Sequence, residues 1–340
     1  MNIALWGYYE ELCRNAYVLT HLNSGIGDDV LKPIHFLNRL LTNNNHTLVT
    51  LDMASDKKID AVIFLDYPKE NKLTVNAFDL DIPKYLVIFE SELIRPENWD
   101  LDNHNKFDKI FTWHDDYIDN DKYFKINFSH ELPESISKRV QKEKLCCIIA
   151  GNKTVHHPLE LYSKRIEAIR WLEKYHPEGF DLYGLGWGEC QFGSSILGKI
   201  LNRIIPISLS KMLATTYPSY KGSVESKKET LEQYKFSICF ENARDIPGYI
   251  TEKIFDCFFA GCVPVYWGAN NVSEHIPEDC FIEMRKFSGY EDMYQYMKNM
   301  SDEEYLGYLN AIEQFILSDK SYQFSVDCFA KTITEQMLAS

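Results

Sequence analysis

The sequence predicts an α/β protein with two domains in tandem, each built on a parallel sheet. Short apolar runs rich in β-branched and aromatic residues alternate with segments of helical periodicity, as in parallel strands buried on both faces. A polar stretch without an apolar period, residues 129–144, interrupts this alternation. The 340 residues are enough for two domains with a core each.

The first half of the chain contains six strand-like runs. Between the first two, apolar residues recur at three- and four-residue spacing from Leu31 to Leu41, which predicts a helix and therefore a βαβ unit. The runs are NIALW (2–6), TLVTL (47–51), AVIFL (61–65), YLVIFE (85–90), KIFTW (109–113) and FKINF (124–128). We therefore predict a first domain at residues 1–142.

The second half shows the same alternation of strand-like runs and helical segments, which predicts a second domain at residues 143–317. Its helices and strands alternate in the order strand, helix, strand, helix, strand, helix, strand. The strand-like runs are KLCCIIAG (144–151), FDLYG (180–184), FSICF (236–240) and VPVYW (263–267). The last segment, residues 318–340, predicts a helix that can cross back onto the first domain.

Charge and cysteine content narrow the classes of function. The formal net charge of −14 gives no basic surface for nucleic acid, so a phosphate-bearing ligand must be held by local cations, helix N-termini or backbone N–H groups. Nine cysteines without a C-x-x-C pair indicate neither a zinc site nor a disulfide framework. With no run of about 20 apolar residues, we expect a cytoplasmic protein without a spanning helix.

Residues 192–217 depart from the acidic trend. The segment carries Lys199, Arg203 and Lys211 among many aliphatic residues and contains no acid. The segment has two interpretations. It is either a helix pair packed on the second domain or a basic amphipathic surface that contacts anionic lipid or a lipid-linked acceptor. We expect an insert here, with peripheral contact to the inner face of the membrane as the functional alternative.

Residues 234–277 contain several candidate ligand-binding residues close together. A buried strand ends at Phe240 and is followed by Glu241 and Asn242, at the sheet edge where open α/β sheets bind ligands. A helix is predicted to start near residues 249–251, which places Glu252 and Lys253 in its first turn. The helix N-terminus and the lysine together favour an anion, and we expect a diphosphate there. The alternative for Lys253 is a solvated surface lysine.

The same stretch resembles the signature of the α-1,3-fucosyltransferases of glycosyltransferase family 10, bacterial type. FENARDIPGYITEK followed by AGCVPVYWGANNVSEHIP matches that signature in order and spacing. The resemblance implies the GT-B arrangement, in which two Rossmann-like domains face each other across a cleft. It also implies an inverting transfer, with GDP-fucose bound by the C-terminal domain and the acceptor met by the N-terminal domain.

The resemblance also implies donor-binding residues. Tyr249, Glu252 and Lys253 belong to the donor site, with Glu252 for the ribose hydroxyls and Lys253 for the diphosphate, and Asn242 lines it. Family members carry an arginine in an S-x-R context on the helix after the domain's first strand. Ser163-Lys164-Arg165 matches that context, so Arg165 is expected as a second phosphate partner, because its planar fork suits two oxygens.

An inverting transfer needs a base on the acceptor side. The run YLVIFESELIRPENW ends a predicted strand of the first domain with Glu90-Ser91-Glu92, and the family places its base in a similar context just before a proline. Here Leu93, Ile94 and Arg95 stand before Pro96, so Glu90 is the first candidate and Glu92 its rival. Alternation along a strand puts both on the same side and does not separate them.

We expect no metal and no cofactor. Two Asp-x-Asp pairs, at Asp79 and Asp100, occur in a chain with 50 acidic residues, where such pairs arise by chance. The predicted function is transfer of L-fucose from GDP-fucose to a glycan hydroxyl, α-1,3 to N-acetylglucosamine, in surface-glycan, lipopolysaccharide or O-antigen synthesis. The alternatives are a different GDP-6-deoxysugar as donor, or a non-catalytic protein that binds a glycan or nucleotide sugar.

Overall fold

The computed structural model describes residues 1–22, 30–189 and 215–339, which divide into two compact units. The first unit comprises Met1–Leu132, Pro247–Tyr249 and Asp319–Ser340. The second comprises Pro133–Ile246 and Ile250–Ser318. Of the predicted insert at 192–217, residues 192–214 lie outside the described residues.

The first unit is built on a six-stranded parallel sheet with the strand order β2-β1-β3-β4-β5-β6. Each of the six predicted runs overlaps one of these strands. Because all strands are parallel, their carboxyl ends meet along one edge of the sheet. The strands are β1 Asn2–Gly7, β2 Thr47–Thr50, β3 Ala61–Leu65, β4 Lys84–Val87, β5 Lys109–Thr112 and β6 Tyr123–Lys125.

Two long helices cover this sheet and pack on each other. The first buries Ile34, Leu37 and Leu41, whose spacing forms the predicted apolar face. The second is the C-terminal helix, which the sequence predicts to return to the first domain. It belongs to this unit and buries Phe329 and Ile333 in the same core. The helices of the first unit are α1 Glu10–Cys13, α2 Tyr17–Thr20, α3 Lys32–Asn43, α4 Lys72–Asp79, α5 Leu101–His104 and α12 Val326–Leu338.

The second unit contains a five-stranded parallel sheet with the order β11-β10-β9-β7-β8. Its central strand β9 is buried along most of its length, as expected for an apolar run covered on both faces. The strands are β7 Lys144–Ile149, β8 Phe180–Tyr183, β9 Tyr234–Phe240, β10 Val263–Trp267 and β11 Ile282–Glu283.

The helix that follows β9 is placed by a regular apolar face. Ile254, Cys257 and Phe258 are buried on it, and Gly261, with a φ of 58°, ends it in the left-handed conformation that glycine adopts without strain. The helices of this unit are α6 Tyr162–Tyr175, α7 Lys227–Leu231, α8 Glu252–Phe259, α9 Val272–His275, α10 Tyr290–Asn299 and α11 Asp302–Ile316.

The structural division falls after Leu132, before the predicted boundary at 142. The polar stretch that suggested a linker is attached to the second unit by its own side chains. Lys138 forms an ion pair with Glu313 at 2.6 Å, and Lys142 donates to the carbonyl of Glu232 at 2.9 Å. The polar stretch at 129–144 therefore contains the division, and its later part, from Pro133, belongs to the second unit.

No helix in the described part of the chain combines the length and apolar character needed to cross a membrane.

Candidate active site

In the second unit, a buried carboxylate organises the carboxyl end of β9. Glu241 follows this strand directly and is completely buried. It accepts hydrogen bonds from the backbone N–H of Thr251 at 2.8 Å and from the Thr251 hydroxyl at 2.7 Å. The Lys253 ammonium lies 3.2 Å from the same carboxylate. Glu241 thus fixes both the residue that precedes α8 and the lysine in its first turn.

The N-terminus of α8 is left open by its own capping residue. Thr251 occupies the N-cap position in an extended conformation, but its hydroxyl donates to Glu241 and makes no cap hydrogen bond to the helix. N-cap side chains ordinarily accept from the first-turn N–H groups. This helix N-terminus, where an anion is favoured by the backbone dipoles, is therefore not covered by the Thr251 side chain.

A second lysine lies beside the first turns of α8. Lys227 Nζ lies 2.7 Å from Asp256 and 3.9 Å from Glu252, which is itself half-buried and 3.6 Å from Lys253. Burial raises the pKa of Asp256 to about 6, against the opposing pull of Lys227. Lys227 is not predicted from the sequence, because the contact joins two helices that are separate in the chain.

Arg165 and Asn242 meet at the same strand end. Arg165 lies on α6 and is buried, with its guanidinium donating to the carbonyl of Phe240 at 2.7 and 3.1 Å and to Asn242 Oδ1 at 2.9 Å. Glu241 stands between these two acceptors in the chain. The structure therefore gathers Arg165, Asn242 and Lys253 around the carboxyl end of β9.

Tyr249 lies in the first unit, not in this group. It is buried, and its ring centroid is 4.7 Å from that of Trp113 and 6.3 Å from that of Phe128. The preceding Gly248 has a φ of 78°, and a Cβ on it would lie 2.2 Å from the carbonyl oxygen of Trp113. The backbone approach that seats Tyr249 among these aromatic rings therefore requires glycine.

In the first unit, Glu90 is held near the carboxyl end of β4. It is half-buried, and its Oε1 accepts from the Tyr9 hydroxyl at 2.9 Å. Its carbonyl oxygen accepts from Asn98 Nδ2 at 3.2 Å and from Trp99 Nε1 at 3.1 Å. Burial and the charge of Glu90 raise the pKa of Tyr9, so this phenol remains a donor. Both the backbone and the carboxylate of Glu90 are thereby fixed.

The structure separates Glu90 from Glu92, which the sequence pattern does not. The strand ends at Val87, so the alternation that placed the two residues on one side is wrong for this segment. Glu92 is exposed, whereas Glu90 is half-buried. The difference arises because the chain leaves the sheet two residues before Glu90 and bonds to the loop that follows.

Asp66, which was not predicted from the sequence, lies beside Glu90. This buried residue follows β3 directly, and its Oδ1 accepts from the N–H groups of Phe89 at 2.8 Å and Glu90 at 3.0 Å, and from Asn98 Nδ2 at 2.7 Å. Burial, with the charge of Glu90, raises its pKa to about 6. The signal was available, since an acid directly after an apolar run is the pattern used for Glu241.

Among the described residues, no group of three or more His, Cys, Asp or Glu side chains is arranged to hold a metal ion. Independence from metal ions remains a prediction.

The chain is similar over part of its length to fucosyltransferases. It is 33% identical over 121 residues to an α-(1,3)-fucosyltransferase of Helicobacter pylori, a match that covers 33% of this chain and 25% of that protein. It is 34% identical over 73 residues to an α-(1,4)-fucosyltransferase of Arabidopsis thaliana, which covers 22% and 18%. The mouse 4-galactosyl-N-acetylglucosaminide 3-α-L-fucosyltransferase 9 is 33% identical over 105 residues, covering 30% and 29%. The matches thus span less than a third of these relatives' own lengths.

Solved structures show the same fold over nearly the whole chain. A crystal structure of an α1,3-fucosyltransferase with GDP-fucose aligns with a TM-score of 0.54 at 16% identity, covering 98% of this chain and 89% of that one. Anabaena HepE in complex with UDP aligns with a TM-score of 0.56 at 11% identity and covers both chains fully. The predicted fold class, α/β of the GT-B type with parallel sheets, is confirmed.

The family follows from the C-terminal part of the chain. The family model described as glycosyltransferase family 10 (fucosyltransferase), C-terminal, matches residues 140–331. This range contains the whole cluster at the end of β9 together with Arg165, and it is more than half of the 340 residues. The chain therefore belongs to glycosyltransferase family 10, the fucosyltransferase family that its signature predicts.

Proposed function

We propose that this protein transfers L-fucose from GDP-fucose to a hydroxyl of a glycan acceptor, with inversion at the sugar carbon. The observation that carries the proposal is the cluster at the end of β9, where Lys253, Arg165 and the N-terminus of α8 converge. Such a cluster suits a diphosphate. Membership of family 10 and the donor named for the related crystal structure support GDP-fucose as the ligand.

The cluster stabilises the leaving group. As the bond between the fucosyl carbon and the diphosphate breaks, negative charge grows on the departing GDP, and Lys253 with the helix N-terminus offsets it in a partly desolvated site. Glu252, at the first position of α8, binds the ribose hydroxyls, and Asn242 completes the donor-binding set of the second unit. Tyr249, which is buried in the first unit, stays a predicted donor-binding residue. Protein groups supply the positive charge, so the proposal needs no metal ion and no cofactor.

Glu90 is the base. It takes the proton of the acceptor hydroxyl while the oxygen bonds to the fucosyl carbon and GDP departs. Its carboxylate is oriented by the Tyr9 hydroxyl and its backbone is fixed by Asn98 and Trp99, whereas Glu92 is exposed. General bases need this kind of orientation, because misplaced groups lose much of their effect.

We propose N-acetylglucosamine as the acceptor sugar and α-1,3 as the linkage. The name of the mouse relative, a 4-galactosyl-N-acetylglucosaminide 3-α-L-fucosyltransferase, supports both choices. The direct test is incubation with GDP-fucose and an N-acetylglucosamine-terminated glycan, with linkage analysis of the product by NMR. We expect an α-1,3-fucoside. Transfer from another GDP-6-deoxysugar but not from GDP-fucose would show that the donor is that other sugar nucleotide. Binding of GDP-fucose without transfer or hydrolysis would favour a non-catalytic protein.

The assignment of the base is tested by two isosteric variants in the same loop. Glu90→Gln should lower kcat for transfer by about 10²- to 10⁴-fold, the usual contribution of a general base. Glu92→Gln, the matched control, should leave kcat within about twofold. GDP-fucose affinity, measured by calorimetry, should be the same in both variants. A large loss in Glu92→Gln with none in Glu90→Gln would move the base to Glu92.

We also propose that the protein works on surface-glycan or O-antigen intermediates at the cytoplasmic face of a membrane, touching it through residues 192–217. The support is the run of basic and aliphatic residues in that segment. The full chain should co-sediment with vesicles that contain anionic lipid and not with neutral vesicles. Binding unchanged after Lys199, Arg203 and Lys211 are replaced by glutamine would contradict this contact.

A further inference from the structure

We propose that Asp66 is a positioning residue for the reaction: it holds the Phe89–Glu90 segment so that the Glu90 carboxylate stays at the carboxyl edge of the first unit's sheet. The inference rests on the proposed function, in which Glu90 is the base. Asp66 acts through Glu90 and, in this proposal, does not touch the substrate.

The hydrogen bonds show how the segment is held. One carboxylate oxygen of Asp66 accepts from two successive backbone N–H groups, those of Phe89 and Glu90, and from Asn98 Nδ2. Asn98 Nδ2 also lies 3.2 Å from the Glu90 carbonyl oxygen. The Glu90 residue is therefore fixed on both its N–H and its C=O side. With the Tyr9 hydroxyl on Oε1, the remaining freedom of the carboxylate is small.

Three donors on one oxygen favour a carboxylate. The hydrogen bonds to an ionised carboxylate oxygen are charge-assisted and stronger than those to a neutral amide oxygen. The negative charge of Asp66 is unfavourable in a buried position. Asp66 is buried, and burial with the nearby charge of Glu90 raises its pKa to about 6. A costly charge beside a candidate base is typical of functional sites.

A purely structural role is the competing explanation, and the chain offers a matched control for it. Asp60 stands at the amino end of the same strand, β3, and its Oδ2 accepts from the backbone N–H of Asn2 at 2.7 Å. Asp66→Asn preserves size, and the φ of 57° at this position is one that asparagine tolerates. Asp60→Asn makes the same change, from a carboxylate to an amide that accepts from a backbone N–H, at the opposite edge of the sheet.

The experiment compares steady-state transfer and GDP-fucose binding in the wild type, Asp66→Asn and Asp60→Asn. Asp66→Asn should lower kcat by about 10- to 100-fold, since small misplacements of a reacting group have effects up to this size. Its GDP-fucose affinity should match that of Asp60→Asn, whose kcat should be that of the wild type, and both variants should be folded at the assay temperature. In a Glu90→Gln background, Asp66→Asn should cause no further loss.

Two results would overturn the inference. One is a kcat for Asp66→Asn equal to that of Asp60→Asn. The other is the same fold-loss in the Glu90→Gln background as in the wild type, because the effect would then not pass through Glu90. If Asp66→Asn does not fold, Asn98→Ser removes the donor shared by Asp66 and Glu90 and should show the same fall in kcat with unchanged donor affinity; an unchanged kcat would equally overturn it.

Failure of the proposed function gives results that differ from those that would overturn the role of Asp66. It would appear as a wild-type protein without transfer, or as a Glu90→Gln variant with full kcat, and either result removes the base on which the inference rests.

Discussion

The second unit's site depends on one buried ionic interaction, that of the Glu241 carboxylate with Lys253 and Thr251. A carboxylate with no exposed surface is unfavourable unless it is paired and hydrogen-bonded, and loss of either partner leaves a buried charge. The pairing therefore fixes the distance from the strand end to the first turn of α8. It also engages the Thr251 hydroxyl that would otherwise cap the helix, and so leaves the N-terminus uncovered by that side chain.

The first unit contains a similar buried carboxylate, which holds a candidate base and not a cation. Asp66, like Glu241, directly follows a parallel strand, is buried, and accepts from backbone N–H groups of a later segment. In the second unit the residue so held is a lysine that suits a diphosphate; in the first it is Glu90, which suits proton transfer. Strand ends in open α/β sheets are where ligands bind, because backbone groups and polar side chains are released there from the sheet.

The sequence was sufficient for every described strand except the two-residue β11, for α8 and for the group of Arg165, Asn242 and Lys253, since periodicity and the family signature are local. It was insufficient where contacts join distant segments. Asp66 lies 24 residues before Glu90, and Lys227 reaches α8 from another helix. Tyr249 is buried with first-unit aromatics, although the chain up to Ile246 and again from Ile250 belongs to the second unit. No local pattern encodes such pairings, which depend on how the strands are ordered.

The central claim is that the carboxyl end of β9 holds a nucleotide by its paired phosphates, and calorimetric titration with GDP and GMP tests it most directly. GDP should bind at least about tenfold more tightly than GMP, which corresponds to about 1.4 kcal/mol. This preference should disappear in Lys253→Ala and persist in Lys235→Ala, a lysine at the other end of β9 that pairs with Asp302. Equal affinities for GDP and GMP in the wild type, or an undiminished preference in Lys253→Ala, would contradict the account.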